Sequence, residues 1–124
     1  NSYDDNVSVL LNNGDGTFAA HVTYGAGNGP HSVAIGDLDG DGDGDLAVAN
    51  SYDDNVSVLL NNGDGTFAAH VTYGAGNGPY SVAIADLDGD GDADLAVANY
   101  LDDNVSVLLN NADGTFAAHV TYGV

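Results

Sequence analysis

Apolar and polar positions alternate along this chain with a period of two, in short runs separated by Asp, Asn and Gly. Period two is the mark of β-strands. Residues 32–37 read as a first strand, A, and 46–49 as a second, B. Both carry small or apolar residues on each face, as in a sheet covered on both sides. Residues 56–60 form strand C, with Val56, Val58 and Leu60 on one face. Asn62, Gly63, Asp64 and Gly65 then give a hairpin signal, since Asn-Gly and Asp-Gly accept positive φ at little cost. Strand D follows over 67–73, where Phe67, Ala69, Val71 and Tyr73 alternate with Ala68, His70 and Thr72. Its half-polar character makes D the outer strand and A the inner one. The pattern predicts four antiparallel strands per unit.

The unit recurs every 49 residues: 1–6 returns as 50–55 and, altered, as 99–104. Between the first and second copies His31 becomes Tyr80, Gly36 becomes Ala85 and Gly44 becomes Ala93, which points to recent duplication or strong homogenisation. A period of this size means a solenoid, propeller or array, and four-stranded sheets stacked face to face around an axis make a β-propeller. The expected fold class is therefore all-β, with propeller-type four-stranded antiparallel blades. The expected units are a half blade over 1–30 (strands C and D), a full blade over 31–79 and another over 80–124. The chain starts in mid-repeat at Asn1 without an initiator methionine, so an excerpt or processed segment is expected. Two and a half blades are not expected to close a ring, which calls for four to eight.

Between A and B lies the densest chemistry: Asp37, Asp39, Asp41, Asp43 and Asp45, and in the next unit Asp86, Asp88, Asp90, Asp92 and Asp94. Aspartates at positions 1, 3 and 5 can turn onto one ion, position 6 (Gly42, Gly91) permits the bend, position 7 (Asp43, Asp92) offers its backbone carbonyl, and position 9 supplies the last carboxylate. Position 8 varies between Gly44 and Ala93, so only position 6 is expected to need a permissive glycine. An EF-hand would need Glu at position 12, where Val48 and Val97 stand. The expectation is a strand-to-strand calcium turn, one Ca2+ per loop and two per chain. Without an ion, five neighbouring carboxylates repel, each pair at ~4 Å by up to ~4 kcal/mol at an effective dielectric of 20.

Composition sharpens this reading. The chain has nineteen acidic residues, all Asp, and no Lys, Arg or Cys, for a formal charge of -19. Strong helix formers other than Ala and Leu are missing, which again favours strands. Phosphate backbones need Lys and Arg, so nucleic acid is excluded as a partner. No apolar stretch is long enough for membrane insertion as a helix. Divalent cations are the expected counter-charge, and extracellular calcium levels fit such a loop.

The strings Val-Ala-Ile-Ala-Asp-Leu-Asp-Gly-Asp-Gly-Asp-Ala-Asp-Leu-Ala-Val-Ala-Asn (82–99) and Val-Ser-Val-Leu-Leu-Asn-Asn-Gly-Asp-Gly-Thr-Phe (56–67) carry a resemblance. With Tyr-Gly and Gly-Pro between units, the chain resembles the FG-GAP/VCBS repeats of integrin-like propellers along its whole length. That resemblance implies calcium in the A–B turn and roles outside the cell or at its surface, in adhesion, surface layers or accessory domains of secreted enzymes. The lack of basic residues departs from the family's usual composition.

Other candidates are weaker. Asn6, Asn55 and Asn104 head three Asn-Val-Ser sequons in one register, read here as turn ends. His21, His70 and His119 fall on strand D, and His31 is replaced by Tyr80 in the next unit, against a repeated metal role. The pairs Asp4 and Asp5, Asp53 and Asp54, Asp102 and Asp103 are read as solvated turns. No nucleophile motif accompanies Ser and His, no carboxylate pair stands out as acid and base, and no enzyme is expected. RTX-type β-helices repeat their calcium turns every nine residues, unlike this chain. The sequence thus predicts a calcium-stabilised extracellular structural or adhesive module whose partners are copies of itself or adjoining repeats of a longer chain, assembled into a filament or other larger body. The alternative is a lectin-like module that binds glycans through Tyr3, Tyr52 and Tyr80, or an accessory domain of a secreted enzyme.

Overall fold

A computed structural model describes residues 5–11, 14, 16–112 and 115–123, and every regular element among them is a strand. The strands are β1 (Asn6–Val9), β2 (Val22–Gly25), β3 (Pro30–Gly36), β4 (Asp45–Asn50), β5 (Asn55–Leu59), β6 (Val71–Gly74), β7 (Pro79–Ala85), β8 (Asp94–Asn99), β9 (Asn104–Leu108) and β10 (Val120–Gly123). They form three antiparallel sheets: a hairpin β1-β2 and two four-stranded meanders, β3-β4-β5-β6 and β7-β8-β9-β10. These are propeller-type blades, with A, B, C and D of the repeat as β3 to β6 and again as β7 to β10. No helix among the described residues is long and apolar enough to cross a membrane.

The core lies between sheets. Ala47, Ala49, Val56 and Val58 of the middle blade pack with Val82, Leu95, Val97, Leu108 and Phe116 of the last blade. On its other face the middle blade sets Leu46, Val48, Leu59 and Phe67 against Val7, Val9 and Tyr24 of the hairpin. Period two thus places one side chain in each seam, and all of β4 is buried as a result.

Strand A is less covered than expected. Val33 and Ile35 of β3 are 49% and 72% exposed, because the hairpin reaches over β4, β5 and the start of D and stops short of β3.

Strand D also differs from its expected alternation. Phe67 bridges Asn61, and Val71 pairs with Val58, so four steps on D oppose three on C. The extra residue makes a bulge, closed by the Ala68 N–H donating to Leu60 O at 2.9 Å. An extra residue reverses the faces beyond it. Phe67 and Tyr73, expected on one face, therefore enter opposite seams. Each meets an aromatic ring of the adjoining sheet: Tyr24 with Phe67 and Tyr73 with Phe116, both edge to face with centroids 5.3 Å apart.

The sequence differences between units follow the seams. A Cβ on Gly36 would stand 2.9 Å from Ile84 Cγ2 of the next blade, whereas Ala85, its counterpart, lies on the exposed outer face.

The paired aspartates are clamps rather than merely solvated turns. Asp53 accepts from Asn28 N at 2.8 Å and from Asn28 Nδ2 at 2.9 Å, and Asp102 accepts from Asn77 N and Nδ2 at 3.0 Å each. Asp5 and Asp54 accept from Gly29 N and Gly78 N at 3.1 and 2.9 Å. Each linker is thus held by the B–C turns of the blades before and after it. Asp4 and Tyr3 lie outside the described residues.

Candidate metal centres

Each A–B loop is wound around its first aspartate. Asp37 Oδ1 accepts from Gly40 N at 2.8 Å and Asp41 N at 3.2 Å, and Oδ2 accepts from Gly42 N at 2.9 Å. Pointing these N–H groups inward takes positive φ at position 4 as well as position 6: Gly40 and Gly42 at 80° and 85°, Gly89 and Gly91 at 79° and 90°. The expectation that position 6 alone needs glycine was too narrow. Position 8 does not share the requirement, in keeping with Ala93.

At the far end Asp45 is fully buried. Its Oδ2 accepts from Leu38 N at 2.8 Å and its Oδ1 from Asn61 N at 2.7 Å. Asp94 does the same with Leu87 N and Asn110 N, at 2.9 and 2.8 Å. These carboxylates have no cationic side chain to face, because the sequence holds no Lys or Arg.

In the first loop Asp37, Asp39, Asp41 and Asp45 bring one oxygen each within 4.8 Å of one another, and in the second Asp86, Asp88, Asp90 and Asp94 do so. Oxygens bound to a calcium ion at ~2.3–2.6 Å lie at most ~5 Å apart, so both groups fit one hard cation. Asp43 and Asp92 stand outside these carboxylate groups, at the position assigned a backbone carbonyl. All-oxygen donors and a buried carboxylate without a cationic partner suit a hard metal cation.

The charge distribution is uneven. Hydrogen bonds, above all from Gly42 N, hold Asp37 below the usual carboxylate range, and Gly91 N does the same for Asp86. Asp39 is pushed up to about 6, first by desolvation, then by its hydrogen bond with Asp41 and the nearby Asp45 charge. Asp88 is raised by desolvation and by Asp90, and Asp92 by desolvation and the charges of Asp90, Asp86 and Asp94. A bound cation would relieve these raised groups.

The loop is also part of a seam, which sequence reasoning missed. Leu38, at position 2, is 1% exposed in the core between blades, and its carbonyl oxygen accepts from Asn110 Nδ2 of the last blade at 2.7 Å. The same Asn110 nitrogen donates to Ala93 O at 2.8 Å, so one side chain touches both loops. Leu87, the counterpart of Leu38, is 47% exposed. The available signal was the asparagine that follows each strand C at one spacing.

The remaining candidates fall elsewhere. Ser57 Oγ is buried and accepts from Gly27 N and Asn50 Nδ2, so its hydrogen goes to His70 Nδ1 at 2.8 Å. Ser106 and His119 repeat the arrangement, and Ser8 contacts His21. Asn55 and Asn104 of the sequons accept from Asn50 and Asn99. Tyr52 and Tyr80 line an open depression of about 350 Å3 with Tyr100 and Leu101, and the His31 ring packs against Tyr80 at a tilt of 58° with centroids 3.9 Å apart.

No curated protein matches the chain. Among solved structures it is similar to a chain of the Photorhabdus luminescens Tc holotoxin pore, at 24% identity and a TM-score of 0.53, covering 97% of this chain and 6% of that one, a likeness of fold. The FG-GAP-like repeat matches three overlapping segments, 1–48, 37–97 and 86–123. The chain belongs to the FG-GAP-like repeat family.

Proposed function

We propose that this chain is a calcium-stabilised, non-enzymatic structural and adhesive module of the cell exterior, stacking end to end with adjoining repeats or with copies of itself. The observation that carries the reading is the position of the first aspartate loop, whose Leu38 is buried in the seam between blades and whose backbone is held by Asn110 of the next blade. An ion held by such a loop supplies charge neutralisation where the fold joins unit to unit. Asp37, Asp39, Asp41 and Asp45 would hold one ion, Asp86, Asp88, Asp90 and Asp94 the other, with the Asp43 and Asp92 carbonyls in support.

The two ends support stacking. Inside the molecule each seam pairs a D-strand tyrosine with the next unit's phenylalanine, while at the ends Phe18 is 56% and Tyr122 58% exposed. These are complementary halves of the same contact. Head-to-tail contacts that do not close propagate into filaments. A catalytic role is disfavoured because Ser57, the hydroxyl nearest a histidine, is buried and fully engaged. Light scattering in calcium tests the assembly: growth with concentration, arrested by Tyr122→Asp, supports it, and a calcium-loaded monomer at every concentration overturns it.

A second reading, glycan binding, rests on the exposed Tyr52, Tyr80 and Tyr100 around their depression. Aromatic faces suit uncharged sugars, and an Asp-rich chain repels anionic ones. Calcium-dependent retention on a glycan array, lost in Tyr80→Ala, would favour it over the structural role.

A further inference from the structure

A run of buried hydrogen bonds ties the two aspartate loops together. Asp45 Oδ2 accepts from the Leu38 N–H at 2.8 Å. The Leu38 carbonyl oxygen accepts from Asn110 Nδ2 at 2.7 Å, and the Asn110 backbone N–H donates to Asp94 Oδ1 at 2.8 Å. All four residues are buried, Asp45 and Asp94 completely. A candidate ligand of one ion is thus joined to a candidate ligand of the other through one leucine and one asparagine. Water offers no replacement partner there, so a break at any link leaves a polar group unpaired. The Leu38 carbonyl belongs to the peptide that leads into Asp39, so Asn110 also fixes the plane from which that carboxylate is carried. Its Nδ2 donates besides to Ala93 O, next to Asp94.

Asn61, the counterpart of Asn110, has a narrower reach. Its N–H donates to Asp45 Oδ1 at 2.7 Å and its Nδ2 to Gly44 O at 3.0 Å, so among the described residues it serves one loop where Asn110 serves two.

We infer that the two loops bind their ions cooperatively, the first ion raising the affinity for the second, with Asn110 as the positioning residue that couples them. The inference rests on the metal reading above and deepens it. In the ion-free loop four carboxylates gathered within 4.8 Å repel, and Leu38 lies between two of them, Asp37 and Asp39. Once that repulsion is neutralised, Leu38 is free to seat in the seam and present its carbonyl to Asn110. Asn110 held in this way sets its N–H on Asp94, and the second loop starts from the closed arrangement. The same bonds carry the effect in reverse, as linkage requires. Two neighbouring cations acting only through space would have the opposite sign: the second would bind more weakly, and the effect would fade as salt screens it.

Calcium titration of the intact chain, followed by NMR at the Gly42 and Gly91 amides that donate to Asp37 and Asp86, reads the two loops separately. The expected result is that both loops fill together, with a Hill coefficient above one that survives high salt. Asn110→Ala should bring the coefficient to one and weaken the second ion roughly fivefold or more, while Asn61→Ala keeps the loops filling together. Independent filling in the parent chain overturns the inference whether or not Asn110→Ala folds. A coefficient below one that rises to one at high salt assigns the coupling to charge and overturns it too, as does an equal loss of cooperativity in Asn61→Ala. Two ions bound independently would leave the metal reading standing, whereas no calcium response at either loop would overturn both.

Discussion

The Asn110 side-chain amide reaches across 72 residues of sequence to donate to the Leu38 carbonyl oxygen at 2.7 Å. It joins a blade to the aspartate loop of the blade before, so that any ion held by the loop would be coupled to blade packing.

Removing that amide should be costly in a particular way. Asn110→Ala leaves a buried carbonyl without its partner, a loss of about 1–3 kcal/mol. Asn61→Ala breaks no bond between blades among the described residues, its Nδ2 partner being Gly44 O of its own blade. Denaturant unfolding should therefore place Asn110→Ala below Asn61→Ala in stability, and equal midpoints would show that the Leu38 contact contributes nothing.

Glycine positions should divide by seam. Gly36→Ala pushes a methyl group against Ile84 and should cost about 1–3 kcal/mol through overpacking. Gly44→Ala meets only Ile35 Cγ2 at 3.3 Å, on a side chain that is 72% exposed, and should stay within about 0.5 kcal/mol of the parent. Thermal unfolding of the two variants checks the order.

The aspartate clamps should be separable from the loops. Asp53→Ala removes two hydrogen bonds to Asn28 and should lower stability by about 1–2 kcal/mol while leaving calcium affinity unchanged. Asp41→Ala or Asp90→Ala should do the reverse, weakening calcium binding more than Asp53→Ala does. Calorimetric titration showing the opposite order would move the metal to the B–C turn.

How far the sequence could be read follows from where each signal lies. The clustering of four carboxylates in each aspartate loop was legible because these residues lie within nine positions of one another in the sequence. The strands were legible from period two, and β3 to β5 lie within a residue or two of the expected A, B and C. The strand D bulge was not, since an inserted residue leaves the alternation of Phe67 and Tyr73 intact on paper while reversing their faces. Asp53 and Asp102 read as solvated because their partners, Asn28 and Asn77, are 25 residues away. Gly40 was overlooked because its positive φ serves hydrogen bonds to Asp37, which no spacing rule reports.

Proton linkage gives a signature of the metal-free loop. Asp39 is raised to about 6 in the folded chain, from an ordinary value near 3.8. Its stabilising contribution is therefore complete below about pH 4 and is lost as pH rises through about 6. Asp88 and Asp92 are raised and share that sign, whereas Asp37 and Asp86 are lowered, so their contribution is already in place above the usual carboxylate range. Without calcium, stability should fall from pH 4 to pH 7, and the fall should be smaller in Asp39→Asn. With calcium, protons should be released on binding near pH 6, measurable by calorimetry in buffers of different ionisation enthalpy.

The most direct test of the central claim is the thermal midpoint of the intact chain above pH 7, measured with calcium in excess and again with a chelator. An ion that binds only the folded loops adds about 2.7 kcal/mol per site at a hundred times its dissociation constant. The account predicts a midpoint several degrees higher with calcium, and identical midpoints in the two conditions would contradict it.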